Sequence, residues 1–293
     1  MRAYGIDHLV IAVGDLERGR ETFTRLGFQV APTATHPFGT ANAVIQLGNA
    51  YLELLGIADP ERITDTTETM FSFAAFNRDF LADREGVSML VRKSDDADAD
   101  RRQFADRGLQ VFEPFEFERM ARGPDGLERK VGFSLAFTAD TRLKRAGFAT
   151  CHHHHPENFW REAYQSHPNG AEAIATAIMV APNPADFHEF MTLFTGQHAI
   201  ESTSLGIKLD LGDGSLDILS PIAFSAFFDE DPQDKLYRFA AVRISVSDLA
   251  ATARFLAGNA VPVCEIAGAF VVPAKYAHGA AIAFVQSTPP KVG

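Results

Sequence analysis

Cysteine is nearly absent from this chain of 293 residues. Cys151 and Cys264 are the only two, too few for a disulfide framework and in keeping with a reducing cytoplasm. Positive charge is also short. Lys and Arg total 27 against 38 Asp and Glu, a formal net charge of −11, so no basic face is expected for a nucleic-acid partner. No apolar run reaches the roughly 18–20 residues that span a bilayer, and no membrane partner is expected. Residues 1–16 carry Asp7 and Asp15 and no basic leading segment, which is not the pattern of a secretory signal. Three motifs are missing as well: a Gly-rich phosphate loop, a Gly-x-Ser-x-Gly elbow and a Cys-x-x-Cys pair. The Gly212-Asp213-Gly214 segment reads as a hairpin turn.

Phenylalanine is in excess. It occurs 25 times, enough to line interiors or pockets with aromatic surface. A hydrophobic content of 46% with 22% charge is ordinary for a folded globular chain and too apolar for a disordered one. The length allows about two domains of roughly 150 residues each.

The order of predicted elements repeats. Residues 6–13 read as a strand apolar on both faces, Ile6, Val10 and Ala12 alternating with Leu9, Ile11 and Val13. Asp15 is an N-cap for a helix over 16–26, on which Leu16, Phe23 and Leu26 share a face and Glu21 pairs with Arg25. Gly27 supplies the left-handed stop. Strands follow at 28–31, 41–47 and 51–55, the last two joined by a Gly48-Asn49 turn. The second unit has a strand at 87–92, a helix at 95–107 and strands at 109–112, 130–139 and 146–153. The third has a strand at 174–180, a helix at 185–194 and strands at 206–211 and 215–219. The fourth runs through 239–246, the helix 248–257, and strands 269–272 and 281–286. VGDLERGRETFTRLGFQV echoes SDLAATARFLAGNAVPV, and AYLELLG echoes GSLDILSP. Repeats of this length outweigh any single motif.

Between the units, residues 64–85 read as a helical insertion whose Met70, Phe71, Phe73, Phe76 and Phe80 are packing residues. Residues 223–235 read as a linker, Phe-rich then acidic, whose charges face solvent, and 288–293 as a frayed tail. The expected division is a first domain over 1–155, a polar connector over 156–170 and a second domain over 171–293.

Several residues stand out chemically. Glu53 lies between Leu52 and Leu54 in an apolar strand, with Tyr51 and Leu55 on its own face. A carboxylate so placed recruits a cation, shifts its proton affinity, pairs with an Arg or faces solvent at an edge. His8, on the apolar first strand, is either a ligand or a hydrogen-bonded core group. Asp7 is expected on the opposite face, in a structural role. Thr40 and Asn42 are candidate substrate contacts or turn-formers, and Tyr51 hydrogen-bonds substrate or lines a pocket. His36, beside Pro37 and Phe38, is a candidate general base on a loop expected to be exposed.

Four βαβββ units in one chain resemble the vicinal oxygen chelate superfamily, which includes glyoxalases, extradiol dioxygenases and bleomycin-resistance proteins. IDHLVIAVGDL is similar to that superfamily's first strand with its metal-binding His. GTANAVIQLGNAYLELLGI and CHHHHPENFW resemble segments of the glyoxalase-like family. The resemblance implies an α+β fold in which the four βαβββ modules pair into two cupped half-barrel sheets with helices outside. It also implies metal ligands on the first and fourth strands of each module. In module one these are His8 and Glu53. In module two the first-strand position falls at Ser88 or Met89, neither a useful ligand, and the fourth strand ends in His152 to His155. Strand alternation sends His153 and Cys151 to one face and His152 with Thr150 to the other. The family pattern favours His153, with His152 the second choice.

The implied site is therefore His8, Glu53 and His153 around a divalent metal, whether iron, manganese, zinc or nickel, with open coordination positions. It has one ligand fewer than glyoxalase I-like enzymes use. Its number suits extradiol dioxygenases, which carry their metal in the C-terminal module pair. Here that pair has no His near Ala177 or Ala241, and Asp217, in register with Glu53, has no His partner. Modules three and four thus read as scaffold, lid or homodimer surface. The implied activity is that of a metal-dependent lyase, isomerase or dioxygenase. It would act on a small oxygenated, aromatic-compatible substrate bound through vicinal oxygens, with Glu53 and His36 handling protons. The alternative is a non-catalytic small-molecule or antibiotic-binding protein.

Overall fold

The computed structural model describes residues 5–123, 125–232 and 237–287. The tail at 288–293 and the end of the 223–235 segment lie outside the described residues. Module one comprises β1 (Ile6–Ala12), α1 (Leu16–Arg25), β2 (Ala34–Thr35), β3 (Thr40–Gln46) and β4 (Tyr51–Ile57). A short helix, α2 (Phe73–Leu81), leads into module two: β5 (Gly86–Lys93), α3 (Ala97–Asp106), β6 (Phe115–Arg122), β7 (Glu128–Thr138) and β8 (Gly147–His153). After α4 (Pro156–Phe159), module three holds β9 (Ala171–Val180), α5 (His188–Thr195), β10 (Ile200–Thr203), β11 (Gly206–Asp210) and β12 (Ser215–Leu219). Helix α6 (Pro221–Phe228) precedes module four: β13 (Arg238–Val246), α7 (Leu249–Gly258), β14 (Cys264–Ile266), β15 (Ala269–Val272) and β16 (Ala281–Gln286).

The repeat is written in its caps. Asp15, Asp96 and Asp248 each accept a hydrogen bond from the amide three residues on, opening α1, α3 and α7 directly after a module's first strand. Module three departs from this, entering α5 through a 3-10 turn at Pro184–Phe187. In every module the last strand returns beside the first in parallel, as β4 does beside β1. The result is an α+β fold of two eight-stranded mixed sheets, ordered β2-β3-β4-β1-β5-β8-β7-β6 and β10-β11-β12-β9-β13-β16-β15-β14. The first sheet curls until its edges meet: the rings of His36 and Phe38, just past β2, lie 5.2 and 5.1 Å from Phe117 on β6. No described helix is long and apolar enough to cross a membrane.

Apolar residues gather in three places. The largest core lies between the two sheets, where Phe148 meets Phe190, Phe194 and Phe239 at centroid distances of 5.0, 5.3 and 5.6 Å. A second fills much of the first cup with Phe71, Phe133 and Phe137. The third fills the other cup: α6 lays Phe224 and Phe228 onto Ile178, Ala241 and Val271.

Several expectations need correction. Residues 28–31 are not a strand, and Phe28 is instead a core residue between Phe23 and Phe284. Residues 109–112 are likewise irregular; the strand of that module is β6, just downstream. The insertion over 64–85 is helical only at Phe73–Leu81, capped by Ser72. Phe71, Phe73, Phe76 and Phe80 do pack, as expected. The 223–235 segment begins with α6, whose Phe residues are too apolar to remain in water. Short β10 and β14 went unassigned because edge strands of three or four residues carry little periodicity.

The stretch 156–170 is packed, not a free connector. Phe159 and Tyr164 are buried, and His167 is 8% exposed. The His167 Nε2–H donates to the Gln46 carbonyl at 2.8 Å, while its Nδ1 accepts the Gln29 N–H at 2.9 Å. This network requires a neutral ring, and burial accordingly pushes the His167 pKa down, only partly opposed by the Gln46 bond. The folded state therefore binds fewer protons than the unfolded chain below about pH 6.5, the ordinary histidine value. Stability from this residue is full above that pH and lost as pH falls through it. Urea unfolding midpoints are expected to drop between pH 7.5 and pH 5, and His167→Gln is expected to flatten that dependence.

Candidate functional site

The site is built on a fault in β1. Pairing of β1 with β5 shifts register between Ile6 and His8, a bulge that places an extra residue at Asp7. Regular alternation would send Asp7 to the face opposite His8, as the sequence suggested. Instead both turn into the first cup. The His8 Nδ1–H donates to Asp7 Oδ1 at 2.6 Å, and Asp7 Oδ2 lies 3.1 Å from His153 Nε2. Burial pushes the Asp7 carboxyl up, but the His153 and His8 imidazoles outweigh it and hold that carboxyl well below the usual range.

Parallel pairing sets His8 opposite Tyr51 and Val10 opposite Glu53. Alternation along β4 then turns Tyr51, Glu53 and Leu55 inward. Tyr51 stacks on the His8 ring at 4.4 Å and 18°, while His8 Nε2 faces Glu53 Oε2 at 3.7 Å. On the other side of that carboxylate, Asn42 Nδ2 donates to Oε1 at 2.7 Å and His36 Nε2 lies 3.9 Å away. Burial raises the Glu53 pKa, opposed in part by His8 and the Asn42 bond. Burial also raises the Tyr51 phenol and the Cys151 thiol. Phe38, Phe73, Phe117, Phe133 and Phe159 wall this cavity of about 430 Å³.

The donor chemistry suits a metal ion. Ligand atoms of Asp7, Cys151 and His153 all lie within 4.8 Å of one another, so these three could coordinate one. His153 Nδ1 is buried without a partner among the described residues. The Asp7–His8 bond is the carboxylate–imidazole pairing that commonly orients a metal-binding His and leaves its second nitrogen available.

The glyoxalase-like domain family matches residues 6–194, which spans modules one and two and enters module three. The chain belongs to the glyoxalase-like domain family. No curated protein matches it significantly. Among solved structures, a hypothetical protein from Staphylococcus aureus is similar at 16% identity and a TM-score of 0.70, covering 96% of this chain and 99% of that one. A triple mutant of 4-hydroxymandelate synthase from Streptomyces coelicolor is similar at 12% identity and a TM-score of 0.59, covering 98% and 93%. These likenesses concern the fold.

Within this glyoxalase-like chain, the residues singled out from sequence divide into two groups. His8, Glu53, Asn42, Tyr51 and His36 meet around one carboxylate. His153 joins through Asp7, on the other side of His8. Thr40 stands behind His36, its Oγ1 2.8 Å from His36 Nδ1. His36 is not on an exposed loop: it is 6% exposed, and burial, with Arg119 and His8, lowers its pKa to about 3. His152 turns to the outer surface beside Asp96 and Ser134. His154 bonds Ser134 Oγ at 2.7 Å, and His155 lies 3.8 Å from Glu157 near the surface.

Sequence reasoning missed Arg119. It projects from β6 into the same cavity, and the signal was available in FEFERMAR, where Phe115, Phe117, Arg119 and Ala121 alternate with more exposed neighbours. It missed Trp160 too, which stacks on His153 at 6.0 Å and 16°. In the second sheet the positions of His8, Tyr51 and Glu53 hold Thr176, Ser215 and Asp217. Asp217 Oδ2 accepts from Arg243 Nη1 at 3.1 Å, a closed ion pair with no imidazole.

Proposed function

We propose that the first cup is the active site of a metal-dependent enzyme that binds a small oxygenated substrate through neighbouring oxygens. His8 and Glu53 would hold the metal, with Asp7 fixing the His8 imidazole at Nδ1 and tying it to His153. The observation that carries this reading is His8 itself, clamped at Nδ1 by Asp7 and offering Nε2 toward a buried carboxylate. A bound divalent ion supplies Lewis acidity to substrate oxygens in such a site.

The chain's own groups supply the rest. Glu53 has its proton affinity raised by burial, which suits a carboxylate that takes and returns a proton. His36 is a neutral imidazole held by Thr40, with Nε2 toward the same point; its lowered basicity makes it a hydrogen-bonding group there and leaves proton transfer to Glu53. Asn42 Oδ1 is buried without a partner among the described residues, so it is free to accept from a substrate hydroxyl. Tyr51 orients the substrate from the His8 side. The phenylalanine walls exclude water and favour an aromatic or apolar body next to the oxygenated end.

Metal analysis of protein prepared without chelators tests the reading. Wild type is expected to retain about one equivalent of metal, His8→Ala to lose it, and Asp7→Asn to weaken it by about 10–100-fold. Cys151→Ala is expected to keep the metal. Loss in Cys151→Ala with retention in His8→Ala would sink this ligand set and transfer the role to Asp7, Cys151 and His153.

A further inference from the structure

Arginines elsewhere on this acidic chain are largely paired with carboxylates, as Arg78, Arg129 and Arg142 are. Three that gather in one groove have no such ion pair among the described residues. Arg119, Arg122 and Arg161 line a depression of about 550 Å³ beside the first cup. Asn42, Arg119 and Phe159 line both this groove and the aromatic cavity, so the two are neighbours with those three side chains between them.

The hydrogen bonds of these guanidiniums go to backbone carbonyls: Arg119 Nη1 to Met120 at 3.5 Å, Arg122 Nε to Gly126 at 3.2 Å and Arg161 Nη2 to Asn158 at 3.2 Å. The Nε atoms of Arg119 and Arg161 are buried and have no partner among the described residues. A guanidinium with its Nε free offers the side-on fork that grips a carboxylate through two parallel bonds. Two such forks lining one groove, in a protein with a net charge of −11, constitute a local reversal of sign beside the cavity.

We propose that the substrate is a small organic carboxylate, its acid group bound by Arg119 and Arg161 while its oxygenated, aromatic-compatible body enters the cup toward His8 and Glu53. Arg122, exposed at the rim, draws the anion in without gripping it. The inference rests on the proposed function for which end reacts, but the anion site itself uses none of the proposed metal ligands.

Calorimetric titration of the full-length protein with phenylacetate and with its neutral isostere phenylacetamide tests it. The carboxylate is expected to bind about 10–100-fold more tightly than the amide, as charge-assisted paired hydrogen bonds allow. Arg119→Gln and Arg161→Gln should each erase most of that preference. Arg119→Lys should restore only part of it, because an ammonium has charge but no fork. Each variant is checked for wild-type near-UV dichroism, and Arg161→Gln decides the matter if Arg119→Gln does not fold. Equal affinity for the two ligands, binding of neither, or a preference that survives both glutamine variants overturns the proposal. Titrating chelator-treated and metal-loaded protein separates the two readings. A preference present in both forms and lost with the arginines upholds the anion site even if the metal reading fails. A preference seen only with metal, and indifferent to the arginines, overturns the anion site and leaves the metal reading standing.

Discussion

Replacing Glu53 with Gln is expected to yield a protein that is more stable than the wild type yet binds metal at least about 100-fold more weakly, the upper end of what even an outer-sphere partner contributes. Glu53 is 5% exposed, and its only hydrogen bond among the described residues comes from an amide, Asn42. A carboxylate in that position costs desolvation that the Asn42 bond, with His8 and Arg119 nearby, repays only in part. Gln preserves the shape and the acceptor for Asn42 Nδ2 while removing the charge. Functional sites that sacrifice stability in this way typically recover about 0.5–2 kcal/mol on substitution. Urea unfolding of chelator-treated protein at pH 8, paired with equilibrium dialysis against Mn²⁺ or Zn²⁺ alone, gives both numbers. A variant less stable than wild type, or one with unchanged metal affinity, would contradict the role assigned to this carboxylate.

The largest stability effect is expected far from the cavity. Phe148 is fully buried where β8 of the first sheet meets α5 and β13 of the second. Truncation to Ala leaves a void bounded by rigid aromatic neighbours that cannot collapse into it, a loss of about 3–5 kcal/mol. Because Phe148 belongs to the first sheet and its ring partners to the second half, the loss should be felt by both. Trp160, the chain's single tryptophan, sits in the first cup, so its fluorescence follows that sheet. Hydrogen exchange at β13 and β16 follows the other. Phe148→Ala should lower the two by the same amount, whereas a drop confined to one would show that the interface is energetically minor.

Much of this architecture was legible because three of the four modules announce themselves alike: an apolar strand, an aspartate cap, a helix, then hairpin strands. Those cues are local, and so β1, β4, α1, β12 and β16 were recoverable from periodicity and caps alone. The inward turn of Glu53 with Tyr51 followed from alternation by two. Asp7 did not, because a bulge is decided by pairing with β5 and leaves no mark in the residues it displaces. Arg119 was hidden differently. On β6 a guanidinium occupies an inward position among phenylalanines, so the apolar count of the strand is poor even though its alternation is strict. His36 read as a loop residue because its burial comes from Phe38 and Phe117, partners brought together only when the sheet closes on itself. Tertiary contacts that join distant edges are invisible to windows a dozen residues wide.

The two halves share a plan but not a vacancy. Phe224 and Phe228 are permanent tenants of the C-terminal hollow, and the ion pair of Asp217 with Arg243 is already complete without a visitor. The internal repeat therefore ends in two unlike interiors: one cup turns polar groups inward around a cavity, and the other is closed by a helix of its own chain.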